Sequence, residues 1–422
     1  MNEEFLYYLW KNRLFKGPLY TSDNQLIEVI NPGERNYDSG PDFLYARLKI
    51  GDTEWAGNVE IHVKASDWER HAHSGDDAYS NVILHVVYEN DQKILNKNKV
   101  EVPVTEVKGC FDHSLYDKYL WLLNSHETIA CSKMIGRVDN IEKLFWLERM
   151  MTERLEQRAM EIKFRLEKEN TGLQEVFYLK LARSFGFRTN SDAFEWLARS
   201  LPVNVLLKHG DDLHQLEALL FGNAGLLDGS FKDEYPKGLK KEYAFLKQKY
   251  GLKPVNPVVW KFMRMRPNNF PTIRISQLAA LIYGLGGQFQ KVFELDRLAD
   301  VKMLLKVSAS SYWADHYRFD VFSKGKSKVL GDGSVNLLFI NAVIPYLFVY
   351  GILLGKEEYK DKALDWMEQI RAENNKVIRI FKDLGFPVKN AIHSQAIIHL
   401  KNNYCDKKRC LECSLGQKVL QR

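Results

Sequence analysis

Residues 3–14 place Phe5, Leu6, Leu9 and Trp10 at helical spacing, which predicts an amphipathic helix at the start of the chain. The apolar period then shortens from helical to alternating. Residues 26–30 read as a strand that stops at Pro32-Gly33, and 43–50 meets 53–63 across Gly51-Asp52 as a hairpin. Two further strands are predicted at 82–88 and 100–104, after a polar connection rich in His, Asp and Trp. From about residue 115 the pattern is helical and stays helical. Residues 141–167 predict one long amphipathic helix with Leu144, Leu147, Met151, Leu155 and Ile162 among its apolar positions. Helical segments follow near 173–185, 191–200, 213–221, 239–249, 276–284, 334–354, 359–371 and 376–384, with 228–238 as the clearest internal loop. No internal repeat or low-complexity segment interrupts them.

This succession predicts an α+β protein. A small mixed β-sheet domain with a helix spans 1–112, and a mostly α-helical domain spans 113–395. A cysteine-rich tail, 396–422, is expected to pack on the helical domain. Aromatic residues at 12% and hydrophobic residues at 45% of 422 fit a packed globular protein and argue against disorder. A net charge of +6 permits a nucleic-acid partner without requiring one, because a local patch matters more than a sum. The uncharged run 334–355 has the length of a membrane span, yet it carries Asn336, Asn341 and Pro345 and reads as a buried core helix. No signal peptide is read at the acidic N-terminus, and five cysteines form no disulfide framework, so a cytoplasmic location without a membrane is expected.

Candidate chemistry concentrates between 40 and 85. Strand alternation puts Glu60, His62 and Lys64 on one face of their strand, with Val59, Ile61 and Val63 on the other. Asp42 opens the preceding strand, although strict alternation would place it with Leu44, Ala46 and Leu48; a bend at Gly40-Pro41 is expected to bring it to Glu60. Two carboxylates with a nearby base are the minimum needed to hold a divalent metal beside a phosphodiester and activate water. A solvated strand face is the competing reading. His62, His71, His73 and His85, four of eleven histidines, crowd the same region with Asp67, Asp76 and Asp77. His71 and His73 are placed to present two imidazoles to one transition metal, while His85 on an apolar strand reads equally as a core histidine hydrogen-bonded near Trp68 and Tyr79.

The order of parts over residues 3–90 resembles the PD-(D/E)XK nuclease superfamily, with Pro41-Asp42 as its first element and Glu60-Ile61-His62 as its second. The resemblance implies that Asp42 and Glu60 hold magnesium or manganese, and that His62, standing where a lysine is expected, or Lys64 orients water. DNA or RNA would be the substrate. The alternatives are a non-enzymatic interaction scaffold, or a His/Asp hydrolase using zinc or manganese on another substrate. The whole chain also resembles an uncharacterised bacterial family, a domain of unknown function. The cues are Asp-Ser-Gly-Pro-Asp-Phe (38–43), Gly-Asn-Val-Glu-Ile-His (57–62), Glu-Ala-Leu-Leu-Phe-Gly (217–222), Arg-Pro-Asn-Asn-Phe-Pro (266–271) and the terminal Cys-Leu-Glu-Cys. No established activity comes with it.

Arg264, Arg266 and Arg274, near Trp260, form one candidate grip on phosphates; Lys237, Lys240 and Lys241 form a second, and Lys407, Lys408 and Arg409 a third. Each taken alone also reads as a solvated face. Cys405, Cys410 and Cys413 have C-x4-C-x2-C spacing, suited to zinc or an iron–sulfur cluster. Such a site needs a fourth ligand, and Cys131 or His399 is the candidate. Some nucleases of the PD-(D/E)XK type carry an iron–sulfur cluster with one distant cysteine before the nuclease motifs, whereas Cys131 follows them. A structural role is expected.

Overall fold

A computed structural model describes residues 1–168 and 171–422. The chain forms two compact units. The first comprises Met1–Trp146, Asp383–Phe386 and Leu400–Arg422, and the second Leu147–Lys382 with Pro387–His399. The α+β class is as expected, but the boundaries move. Residues 113–146 stay with the sheet instead of opening the helical domain, and the cysteine tail belongs to the sheet unit instead of the helical one.

The first unit begins with helix α1 (Glu3–Asn12), capped by the Asn2 side chain, which accepts from the Phe5 N–H. Phe5, Leu6, Leu9 and Trp10 form its buried face. Seven strands follow in one mixed sheet: β1 (Leu19–Tyr20), β2 (Leu26–Asn31), β3 (Glu34–Arg35), β4 (Phe43–Ile50), β5 (Thr53–Lys64), β6 (Val82–Glu89) and β7 (Val104–Glu106). The spatial order is β1-β2-β4-β5-β6-β7, with β3 paired to the start of β4. Pairing is antiparallel from β1 to β5, then parallel from β5 through β7. The strand expected at 100–104 therefore begins where that reading ended it.

A parallel step from β5 to β6 requires a crossover. The polar connection supplies it as the short helix α2 (Asp67–Arg70) and two 3-10 turns, His73–Gly75 and Asp77–Tyr79. Trp68 and Tyr79 are buried in one apolar cluster with Val82, Val87, Ile94, Val102 and Val104. Gly57 is fixed by close approach: a Cβ there would lie 2.4 Å from Ile83 Cγ2 and 2.7 Å from the Asn81 carbonyl oxygen. Helix α3 (His113–Asn124) and the C-terminal helix Ser414–Gln421 complete the unit and pack together.

The second unit is helical. Leu173–Phe185, Leu213–Asn223 and Pro271–Gly284 are buried along most of their lengths, as helices apolar nearly all round must be. The uncharged run forms Asp332–Leu338, a π turn at Phe339–Val343 and Ile344–Leu354, with Pro345 tolerated in the first turn of the last piece. Asp332–Leu354 is long and apolar enough to cross a bilayer, but 61% of its apolar window is buried within the protein, the behaviour of a core helix. A short hairpin, His316–Arg318 with Val321–Phe322, was not anticipated, and Glu234–Tyr250 begins inside the expected loop at 228–238.

Gly222 explains the last position of Glu-Ala-Leu-Leu-Phe-Gly. A Cβ there would stand 2.0 Å from Tyr243 Cγ, whose ring is held by a 3.1 Å bond from its hydroxyl to Asn223 Oδ1. Gly222→Ala is therefore expected to destabilise the helical unit by about 1–3 kcal/mol through overpacking. A chemical-denaturation midpoint unchanged from wild type would refute this.

Candidate metal centre

Glu60 and His62 sit on β5 where both faces of the strand are covered, and they are 4% and 2% exposed. The strand beside them solves the phase problem at Asp42. Register runs Phe43↔Val59 and then Ala46↔Gly57, so β4 carries one extra residue, with Tyr45 at φ 58°. The bulge, rather than a bend at Gly40-Pro41, reverses the alternation. Asp42 thereby faces Glu60 while Ala46, Leu48 and Ile50 stay in the core.

The two acids interlock through the backbone. The Asp42 N–H donates to Glu60 Oε2 at 3.0 Å, and the Ile61 N–H donates to Asp42 Oδ2 at 3.0 Å. Arg35 Nη1 completes Asp42 with a 2.6 Å ion pair to Oδ1, and its guanidinium lies 3.6 Å over the Tyr7 ring. Both Asp42 oxygens thus have protein partners, which makes Asp42 an organiser of Glu60. Glu60 Oε1 turns instead to imidazoles, with His73 Nε2 at 3.3 Å and His62 Nε2 at 3.5 Å.

The crossover brings the remaining histidines over this face. His62 Nε2 is 3.1 Å from His71 Nδ1, and the His62 and His73 rings stack at 5.3 Å. Candidate ligand atoms of His62, His71 and His73 all lie within 4.8 Å of one another; His71 is exposed and the other two are buried. Tyr79 stacks on His73 at 3.7 Å and fixes its ring. Behind them His62 Nδ1 meets His85 Nε2 at 2.9 Å, while His85 Nδ1 is buried without a partner. A histidine that gives one nitrogen to a metal normally gives the other to such a hydrogen bond.

Burial, helped by His71 and His73, pushes the His62 imidazole down to about 3, so it is uncharged at neutral pH; burial takes His85 well below its ordinary value too. Burial raises the Glu60 carboxyl to about 7, with the His73 hydrogen bond opposing it. These groups form a cation-shaped arrangement: the uncharged His62, the imidazoles of His71 and His73, and a buried acid with no permanent positive partner among the described residues. Three imidazoles with one carboxylate suit manganese or zinc better than magnesium, which prefers oxygen ligands.

Lys64 stands apart. It is exposed at the end of β5, and its charge acts on Asp91, which follows β6. Three residues not singled out in the sequence join the site: Arg35, Tyr7 and Glu3. Glu3 is raised by burial, then by Asp42 and Asp67, and accepts a 3.5 Å bond from the Tyr7 hydroxyl. A Glu in the first turn of an amphipathic helix gives no local signal of this, because it comes near Asp42 only in the folded sheet.

Cys131 lies near enough to the tail for its thiol to act on those of Cys405 and Cys413, although among the described residues His62, His71 and His73 are the group whose ligand atoms come within 4.8 Å of one another. Burial, then the neighbouring thiols of Cys413, Cys131 and Cys410, push the Cys405 thiol up. Cys131 and Cys413 are each pushed up to about 12, with burial first and other cysteines of the group contributing. The Cys410 carbonyl packs on Gly416, where a Cβ would come within 2.2 Å of its oxygen. Backbone and side-chain bonds pin this tail to the segment around Cys131: Lys408 Nζ donates to the Ser125 carbonyl, and Arg422 to that of Arg137. His399, the other candidate, bonds Glu153 instead at 3.1 Å.

The basic groups separate similarly. Arg264 and Arg266 are exposed, but Arg274 is 5% exposed. Lys237 pairs with Glu234 at 2.7 Å, Lys240 bonds the Gly229 carbonyl, and Lys241 is exposed. Lys408 and Arg409 serve the tail itself, the latter pairing with Glu412.

The fold and site define an α+β protein with a histidine–carboxylate cluster on the face of a mixed sheet. A family model described as protein of unknown function (DUF2851) matches residues 3–376, and the chain belongs to that family. The match contains the first four cue segments and ends before Cys-Leu-Glu-Cys. No curated protein and no solved structure matches the chain.

Proposed function

We propose that this protein is a metal-dependent phosphodiester hydrolase acting on nucleic acid, with its cation held by Glu60, His62, His71 and His73. The observation that carries the reading is Glu60 itself, a buried carboxylate whose Oε1 faces two imidazoles and, among the described residues, no lysine or arginine. Such a group is costly unless a cation joins it. The bound metal would polarise the phosphoryl group and lower the pKa of a water.

The chain's own groups have separable tasks. His71, exposed at the open side, is the ligand nearest to solvent and substrate. Arg35 holds Asp42, and Asp42 aims Glu60 through the Ile61 and Asp42 N–H groups. His85 fixes the His62 tautomer. Tyr37 and Tyr45, 76% and 74% exposed, flank Asp42 in sequence and offer faces on which bases stack. The order α1, antiparallel meander, α2 and parallel β6 supports the PD-(D/E)XK resemblance, with uncharged His62 replacing the expected lysine. That replacement, with three imidazoles gathered, favours a second reading: a manganese or zinc hydrolase of a non-nucleic-acid substrate.

The four cysteines are assigned a structural metal, zinc or an iron–sulfur cluster, held by Cys131, Cys405, Cys410 and Cys413. All five thiols of the chain are free, which supports a reducing, cytoplasmic setting.

The test is cleavage of single-stranded, duplex and branched DNA and RNA in magnesium, manganese or zinc, with an EDTA control. Metal-dependent cleavage is expected. No cleavage of any nucleic acid, with turnover of small phosphodiesters or esters, would move the assignment to the second reading. No metal bound at the histidines would leave a scaffold.

A further inference from the structure

In the helical unit, Arg-Pro-Asn-Asn-Phe-Pro leads into the buried helix Pro271–Gly284, and with residues 328–334 it walls a pocket of about 240 Å³. Arg274, Gln277 and Lys328 are its buried polar members, at 5%, 1% and 3% exposure, while Arg266, Asn268 and Asn269 are exposed. No carboxylate lines it among the described residues.

Among the described residues the two buried cations have only uncharged acceptors. Arg274 donates from Nη1 to Gln277 Oε1 at 2.8 Å and from Nη2 to Asn269 Oδ1 at 2.6 Å and Ser334 Oγ at 3.3 Å. Its Nε is buried without a partner. Lys328 Nζ donates to the carbonyls of Ala314 and Lys326 at 3.0 and 2.9 Å. Gln277 ties the pair together through a 2.7 Å bond from Nε2 to the Lys328 carbonyl. Phe187 and Tyr317 lie under the two charges at 4.4 and 4.0 Å. Aromatic faces offset only part of the cost of burying a cation. Burial pushes the Arg274 guanidinium down to about 10, and no acid opposes it.

We infer that this pocket binds a phosphate group, with Arg274 and Lys328 supplying charge at its base and Arg266, Asn268 and Ser334 supplying donors around it. More than one positive charge, donors from separate segments and the lack of a carboxylate match a tetrahedral dianion better than a planar monoanion. The phosphate is either free or the end of a phosphomonoester; both present the same oxygens.

Calorimetric titration of the full chain with inorganic phosphate, and separately with a mononucleotide 5′-monophosphate, at matched ionic strength tests this. One site per chain is expected, weakened about tenfold or more in Lys328→Met and in Arg266→Ala. Arg266→Ala leaves the buried residues untouched, so it stands if the lysine variant fails to fold. Binding of inorganic phosphate identifies the free anion, and binding of the nucleotide alone identifies an ester. Binding of neither, or binding unchanged in Arg266→Ala and Lys328→Met, overturns the site. Neither outcome depends on cleavage at Glu60.

Discussion

Glu60→Gln is expected to lower metal-dependent cleavage by about 10³-fold while the protein stays folded. The substitution keeps the volume of the side chain and an oxygen to accept the Asp42 N–H. It removes only the charge that answers the cation. The same change has a second consequence that involves no substrate. Burial raises the Glu60 carboxyl from 4.5 to about 7 in the folded chain. The folded state therefore holds a proton that the unfolded state releases between those values. The stability this contributes is complete below the unfolded pKa and is lost as the pH rises through 7. In EDTA the Glu60 contribution to wild-type stability should thus fall from pH 4.5 towards 8, so Glu60→Gln should gain on the wild type across that range and become the more stable protein above neutrality. Added manganese should reverse the order by stabilising the wild type more than the variant, which keeps only the three imidazoles. Denaturation midpoints at three pH values, with and without metal, read all of this. A variant as active as wild type, or one that manganese stabilises equally, would remove Glu60 from the centre.

Much of that centre was legible because strand alternation is local. Glu60 and His62 share a face on β5 whatever the rest of the chain does. Asp42 was legible as a candidate but not as a neighbour, since the extra residue at Tyr45 that turns it towards Glu60 has no glycine or proline to announce it. Lys64 obeys the same alternation as Glu60 and still lies outside, because the cover provided by α2 and its turns ends before it. The crossover histidines were legible as a cluster. What could not be read was their union with the acids into one site, which depends on β6 pairing parallel to β5 and so on a contact between distant segments. Arg35, Tyr7 and Glu3 were invisible for the same reason. In the helical unit, apolar period located the buried helices closely, yet it could not say that Arg274 points inward, since an arginine beside Pro-Asn-Asn reads as exposed until Pro271–Gly284 is seen buried on every side.

Cys413→Ser should cost the sheet unit about 4–5 kcal/mol, far more than a thiol-to-hydroxyl change in an empty site. Cys413 is buried at the head of Ser414–Gln421, and that helix packs on α3 and on the turn Ile135–Arg137 that follows Cys131. A metal joining Cys131 to the tail closes a loop of more than 270 residues, so its loss frees the tail from both neighbours at once. Four thiols, Cys413 buried and the other three half-buried, gain little from one another without a metal, because none is an acceptor strong enough to hold the others. Two measurements separate these cases. Metal and sulfide analysis of anaerobically purified protein should give either one zinc, or iron with sulfide and visible absorbance, falling in Cys413→Ser and in Cys131→Ser but not in Cys110→Ser. Hydrogen exchange should then show 414–421 and 125–137 losing protection together in the same two variants. Stoichiometric metal that survives both substitutions, or a wild type with none, would return these residues to the status of ordinary free cysteines and leave the tail held by its lysine and arginine bonds and its packing.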